Sequence, residues 1–235
     1  MAVGLGDNTP SKFYLGDGLP SKLYIGDSLF WQPNAFQQIF VDEFSVDGNP
    51  LPGWTKLSNA NSRAVQGRAA IVSLTNGSWF DNSSYAPPIT PPADDVAIRF
   101  QITTPVTAAA TDNTADLWLR AGSESTINYG VGVSFLQGAN RVKILSRHGS
   151  TSSTARTSEV AYSMDVDLEF RAVGNTFILT DLSSSTELLR WEDTGQLAMK
   201  GPSYRSLRMV LSGNYPLFQK MYSSPSVARY EVGTV

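Results

Sequence analysis

Asp165, Asp167 and Glu169 alternate along the stretch Asp165-Val166-Asp167-Leu168-Glu169 and are spaced for acid–base chemistry. On a regular strand, residues two apart lie ~6.6 Å from each other and residues four apart ~13 Å. Hydrolysis of a glycosidic bond with retention wants carboxyl groups about 5–5.5 Å apart, and inversion about 6.5–9.5 Å. The Asp165–Asp167 or Asp167–Glu169 spacing just reaches inversion. Val166, Leu168 and Phe170 alternate with these acids as an apolar face. The carboxylates therefore also read as the polar side of a solvent-facing strand edge, which Arg171 continues. On this pattern no catalytic residue is assigned.

Other chemistry is sparse. His148 is the sole histidine and leads, through Arg147-His148-Gly149-Ser150, into a Ser/Thr-rich loop. No Gly-x-Ser-x-Gly turn accompanies it, so a nucleophile–base pair has no visible scaffold. One histidine excludes a multi-His metal site, and zero cysteines exclude disulfides and thiolate metal centres. Net charge is −3 and the pI about 5.2, with Lys and Arg dispersed rather than clustered, which argues against nucleic acid as a partner. Met1 to Gly6 lack the basic and apolar regions of a signal peptide, so export is expected by another route, such as lysis. No apolar run approaches the ~20 residues that would cross a bilayer, so no membrane insertion is expected.

Binding residues are sought among the aromatics. Trp79, Phe80 and Tyr85 lie in or beside the Pro-rich stretch Asp81 to Asp95, which reads as a long loop. Exposed there, they would offer flat platforms to a sugar's C–H face or to a protein partner. Trp54, Trp118 and Trp191 lie on strands or their ends and are expected to pack inside the domain.

The elements that must position these side chains are short alternating strands. Phe40 to Val46, Ala69 to Leu74, Val96 to Thr103, Asp116 to Ala121, Tyr129 to Leu136 and Arg141 to Arg147 read as strands. Val166 to Val173, Thr176 to Leu182, Glu187 to Trp191, Leu207 to Leu211 and Val227 to Val232 follow. Val96, Ile98, Phe100 and Ile102 form an apolar face opposite Ala97, Arg99 and Gln101. Frequent turns and no sustained 3.6 periodicity predict an all-β sandwich or barrel; the helical candidate around Gly195 to Lys200 is too short to matter.

Residues 1–36 are different. Positions 5–14, 15–24 and 25–34 read LGDNTPSKFY, LGDGLPSKLY and IGDSLFWQPN, a ten-residue repeat with Gly-Asp at Gly6-Asp7, Gly16-Asp17 and Gly26-Asp27. Gly-Asp followed by Pro is turn chemistry, and the segments between turns alternate. Phe13 and Leu15 face one way, as do Leu23 and Ile25, while Phe30 and Trp31 end the repeat. Strands this short cannot bury an apolar face alone. These six residues are therefore expected to anchor or oligomerise the chain, either on the following domain 37–235 or on other copies in a homotrimer.

The stretch Asp42-Glu43-Phe44, Leu51-Pro52-Gly53-Trp54-Thr55 and Val65-Gln66-Gly67-Arg68-Ala69 resembles the opening of concanavalin A-like (laminin-G-like) jelly rolls in tail proteins of actinobacterial phages. Val166 to Asp181, with its Gly-Asn turn, and the closing Ala228-Arg229-Tyr230-Glu231-Val232 are similar to later strands of that fold. The Gly-Asp/Ser-Lys-x-Tyr repeat likewise resembles N-terminal segments of phage minor tail proteins. The resemblance implies a jelly-roll sandwich in a minor tail protein, assembled in the host cytoplasm and located in the virion tail. Other tail proteins are the implied partners, and a host-surface glycan the implied ligand. The alternative is a stand-alone lectin-like or glycan-cleaving domain. Jelly rolls often carry a structural calcium, for which Asp42, Asp47, Asp94, Asp95, Asp112 and Asp116 are the available oxygen donors; none has the ordered spacing of a dedicated loop.

Overall fold

The computed structural model describes residues 23–25, 28–31, 35–58, 62–72, 74, 77–109, 113–123, 126–136 and 138–235. The chain divides into two units, Met1–Ala35 and Phe36–Val235. In the first, Leu23–Ile25 pairs antiparallel with Ser28–Trp31, Leu23 facing Trp31 and Ile25 facing Ser28. Both segments fall in the repeat; Phe13 and Leu15 lie outside the described residues, as do the side chains of Leu23, Ile25, Phe30 and Trp31.

The second unit is built from eleven principal strands: β1 (Gln37–Asp42), β2 (Ser78–Ala86), β3 (Val96–Thr103), β4 (Thr114–Ala121), β5 (Tyr129–Leu136), β6 (Arg141–His148), β7 (Asp167–Val173), β8 (Thr176–Asp181), β9 (Thr186–Glu192), β10 (Ser206–Tyr215) and β11 (Ser226–Thr234). Sheet one runs β6–β5–β4–β10–β2 and sheet two β9–β8–β7–β3–β11–β1. The pairings between these strands are antiparallel; Tyr222–Ser223 and Ala108–Ala109 add a short parallel pair at the margin of sheet one.

Alternation sets which face is buried. Val96, Ile98, Phe100 and Ile102 of β3 and Leu168 and Phe170 of β7 turn inward and are at most 2% exposed. They meet Leu117, Leu119, Val131, Val133 and Phe135 from sheet one. Phe100 and Phe135 cross edge-on with centroids 5.6 Å apart. Fully burying side chains of this size is worth roughly 1.5–3 kcal/mol each, so this layer dominates the stability of the domain.

Three boundaries differ from the sequence reading. The first strand ends at Asp42, because its carboxylate receives the Phe44 backbone N–H at 2.7 Å and the Trp54 Nε1–H at 2.7 Å, turning the chain out of the sheet. Phe44 then sits at φ +51 and is itself buried. The segment expected to open a long loop is strand β2, paired to β10 from Tyr85↔Met209 to Ser78↔Tyr215. The candidate helix near 195–200 is irregular; a single 3₁₀ turn, Pro202–Tyr204, is the helical element among the described residues.

Candidate functional site

Sheet one carries a second hydrophobic cluster, separate from the core and on the opposite face of the same strands: Trp118, Ala121, Ile127 and Leu145, with Val210 against them. Residues in β4 alternate, so Leu117 and Leu119 enter the core while Asp116 and Trp118 face out. Trp118 is therefore not in the sandwich interior, contrary to expectation. Trp54 is, packed edge-on to Tyr230 at 5.1 Å, and Trp191 stacks on Phe177 at 5.4 Å.

The outer face is organised by register. Asp116 stands opposite Val210 on one side and Ser134 on the other, and the row continues to Ser84 and Lys143. The next row holds Arg208, Trp118, Gly132 and Leu145. Gly132 gives the indole its room, since a Cβ there would lie 2.7 Å from Trp118 Cδ2. Arg147 closes over the ring, its guanidinium carbon 4.9 Å from the centroid, and is held by Ile127 O at 2.9 Å and Ser153 Oγ at 3.0 Å.

Asp116 is the chemically distinctive group of this face. Ser134 Oγ donates to Asp116 Oδ1 at 2.6 Å. Desolvation pushes its carboxyl above the ordinary carboxylate range, a rise that the Ser134 and Thr114 hydroxyls and the positive charge of Arg147 and Lys143 only partly offset. The other described carboxyls with a resolved shift (Asp94, Glu159, Asp181 and Glu187) move down. A half-buried carboxylate retains acceptor capacity for a ligand's hydroxyl groups. Nearby, Ser84 Oγ and Trp118 Nε1 are enclosed without a hydrogen-bond partner among the described residues. A lone acid inside the apolar strand Thr114–Ala121 was the sequence signal for this position, weighed there as a calcium ligand.

The residues proposed from sequence for binding fare unequally. Tyr85 is 0% exposed, with its hydroxyl on Ser62 O at 3.2 Å; it faces the core from a paired strand and offers no platform. Trp79 and Phe80 lie on β2 in the same sheet as Asp116, and their side chains fall outside the described residues.

Of the carboxylate trio, Asp167 and Glu169 share the outer face of β7 and Asp165 lies before the strand. Asp165 precedes β7 at φ +59 and donates its backbone N–H to Ile102 O. Glu169 is 0% exposed and not on a strand edge, since β7 lies between β3 and β8. Arg99 Nε binds its Oε2 at 2.8 Å and Arg171 binds Oε1. With both oxygens engaged by guanidinium groups and closed to solvent, this carboxylate offers no approach to a substrate.

The calcium candidates do not converge. Asp42 is engaged as above, and Asp47 receives Gln66 N–H at 3.0 Å. Asp94 binds Arg205 and Gly201, while Asp95 binds Arg120 and Gly174. Asp112 lies outside the described residues. Among the described residues no three His, Asp or Glu side chains gather as a metal site. His148, at the end of β6, has Nδ1 2.9 Å from Leu197 O and meets Tyr129 edge-on, which in turn meets Tyr204.

Comparison with solved structures decides the architecture. A protein described with the endo-acting O-glycanases by which members of the human gut microbiota initiate mucin breakdown superposes with a TM-score of 0.55 at 12% identity, covering 85% of this chain and 100% of that one. The CBM2 module of the evolved Dit of Lactobacillus casei BL23 phage J-1 gives 0.52 at 7% identity, over 84% and 95%. The metal-free exoplasmic/lumenal domain of VIP36 gives 0.52 at 8% identity, over 86% and 94%. The likeness is one of fold. The chain is an all-β jelly-roll sandwich of the kind these proteins share. No family model matches it, and no curated protein matches it by sequence.

Proposed function

We propose that the chain is a carbohydrate-binding phage tail adhesion protein, its sandwich presented to a host-surface glycan and its N-terminal repeat serving as the attachment device. The observation that carries the binding reading is Asp116, desolvated and only partly exposed on the outer face of sheet one, beside Ser134, Val210 and Lys143. Polar groups fixed on a rigid sheet suit a hydroxylated ligand, because little ordering remains to be done on binding. The fold shared with the phage Dit CBM2 module supports the tail role, and the likeness to the VIP36 domain, also solved with Ca2+ and Man3GlcNAc, supports the glycan. Trp79 and Phe80 are proposed as its aromatic contacts.

The reading is tested by glycan-array and titration binding with the full chain. Asp116→Ala should weaken the strongest array hit at least tenfold, and Trp79→Ala likewise, without a change in secondary structure. An unchanged affinity in Asp116→Ala removes the site. Hydrolysis of the bound glycan would favour the enzyme alternative instead.

The repeat is proposed to trimerise the chain and to dock it in the virion tail through Phe13, Leu15, Leu23, Ile25, Phe30 and Trp31. Mass photometry should give a trimer that Leu23→Asp converts to monomer. A monomeric wild type, absent from purified tails, would sink this part.

A further inference from the structure

The outer face of sheet two holds a basin of about 220 Å³ between Gln38, Arg99, Asp167, Leu182, Arg229 and Glu231. It spans β1, β11, β3 and β7, and the register places Glu231 opposite Arg99 and Arg99 opposite Glu169, with Arg229, Gln101 and Asp167 in the adjoining row. We infer that this basin is a second saccharide site, specific for one neutral sugar unit and opposite in the sandwich to the Asp116 face. The inference rests on the proposed carbohydrate-binding function and deepens it.

Three features support the assignment. The first is charge balance: Arg99, Arg171 and Arg229 are matched by Asp167, Glu169 and Glu231. The charges already engage one another, Glu169 with Arg99 and Arg171, and Arg229 with Glu231, while Asp167 accepts from Gln101 Nε2 at 2.8 Å. An anionic ligand would compete with resident carboxylates for the guanidinium groups and leave a charge unpaired, which is costly in a partly desolvated site. A hydroxyl exchanges hydrogen bonds without that penalty.

The second is rigidity. Glu169 is enclosed, and Arg99 is pinned between it and the Phe36 ring, 3.9 Å from the centroid. That ring in turn lies on Gly233, where a Cβ would come within 2.5 Å of it. Donors are thus set before a ligand arrives. Arg229 Nε, at the basin wall, is enclosed with no acceptor among the described residues.

The third is size and texture. At roughly 30 Å³ per water, the basin holds the volume of about seven waters, the scale of a single sugar ring. Leu182 adds an apolar patch for its C–H face.

Saturation-transfer NMR on the full chain tests this, with the methyl glycosides of glucose, galactose, mannose and N-acetylglucosamine as probes and glucuronate as the charged control. A neutral glycoside should still bind to Asp116→Ala. That residual binding should weaken at least tenfold on adding Asp167→Ala or, in a separate variant, Leu182→Arg. Glucuronate should bind at least tenfold more weakly than the best neutral glycoside. The basin is refuted if Asp116→Ala alone abolishes all binding, if both added substitutions leave the residual signal unchanged, or if glucuronate binds equally well. Saturation transfer from none of the glycosides to wild type would overturn the carbohydrate reading as a whole.

Discussion

Trp118 lies flat against the backbone of Gly132 in the neighbouring strand, so closely that a methyl group at position 132 would sit 2.7 Å from Cδ2 and 3.0 Å from Cε2 of the indole. The pair fixes the position of Trp118, the large aromatic ring of the outer-face cluster of sheet one among the described residues. Through β4, the pair also fixes where Asp116 stands.

Gly132→Ala should therefore displace the indole and cost about 1–3 kcal/mol, the usual range for overpacking a tight contact. For a domain of this size that is a fall in melting temperature of about 2–4 °C per kcal/mol. Unfolding monitored by tryptophan fluorescence checks it. A Tm equal to wild type would mean that the ring has free space beside it.

Asp116 makes a prediction of unusual sign. Its folded pKa is raised, so the native state binds a proton more readily than the unfolded chain between the two values. Stability contributed by this group then falls as pH rises through that window, the opposite of an ion-paired acid. Asp116→Asn should raise the melting temperature at pH 7 and show a diminishing advantage as pH is lowered towards 4. Glycan affinity that depends on ionised Asp116 should begin to fall at a higher pH than for an ordinary aspartate. A pH-independent difference in Tm would contradict this account.

Asp94 behaves in the usual direction. The Arg205 hydrogen bond, at 2.8 Å, holds its carboxyl below the ordinary value, with Gly201 N–H assisting. The stability it contributes is present above the unfolded pKa and lost as pH falls through the folded one. Asp94→Asn should therefore be less stable than wild type at pH 6–7, with the gap closing under strong acid. Chemical denaturation at several pH values measures it.

Arg120 is 1% exposed, at φ +50, and binds Asp94 O at 2.9 Å, Gly174 O at 2.8 Å and Asp95 Oδ1 at 3.2 Å. It ties the loop before β3 to the β7–β8 turn. Arg120→Ala should cost about 1–3 kcal/mol, because it leaves the Asp94 and Gly174 carbonyls without their donor, while Asp95 keeps the Gly174 N–H and meets solvent. Urea denaturation would show it as a lower midpoint at similar slope. A loss under 1 kcal/mol would mean that water replaces the guanidinium at little cost.

The share of this that could be read from the chain follows from period and register. Val96 to Ile102 announce both strand and core face, because a strand with one buried side must alternate, and the period belongs to the chain itself. The ten-residue repeat is legible for the same reason. β2 was not: Ser78-Trp79-Phe80-Asp81-Asn82-Ser83-Ser84-Tyr85-Ala86 lacks alternation, and it is a strand because β10 supplies its hydrogen bonds. Ser83, 0% exposed, and Ser84, 8% exposed, are buried there by neighbours that no local pattern contains.

The same division separates the sites. Asp42, Phe44 and Trp54 could be recognised in sequence, yet which of the neighbours Leu117 and Trp118 enters the core was not read there, since both are large and apolar. Asp116 was visible as a lone acid; its desolvation and its hydroxyl partner come from β5 and β10 across the sheet. The pairing of Glu169 with Arg99, seventy positions away, arises in the same manner. Alternation, turns and repeats are short-range and were written in the chain. Cross-strand neighbours depend on long-range register, and only the folded sheet decides which charges meet and which acid is left half-buried.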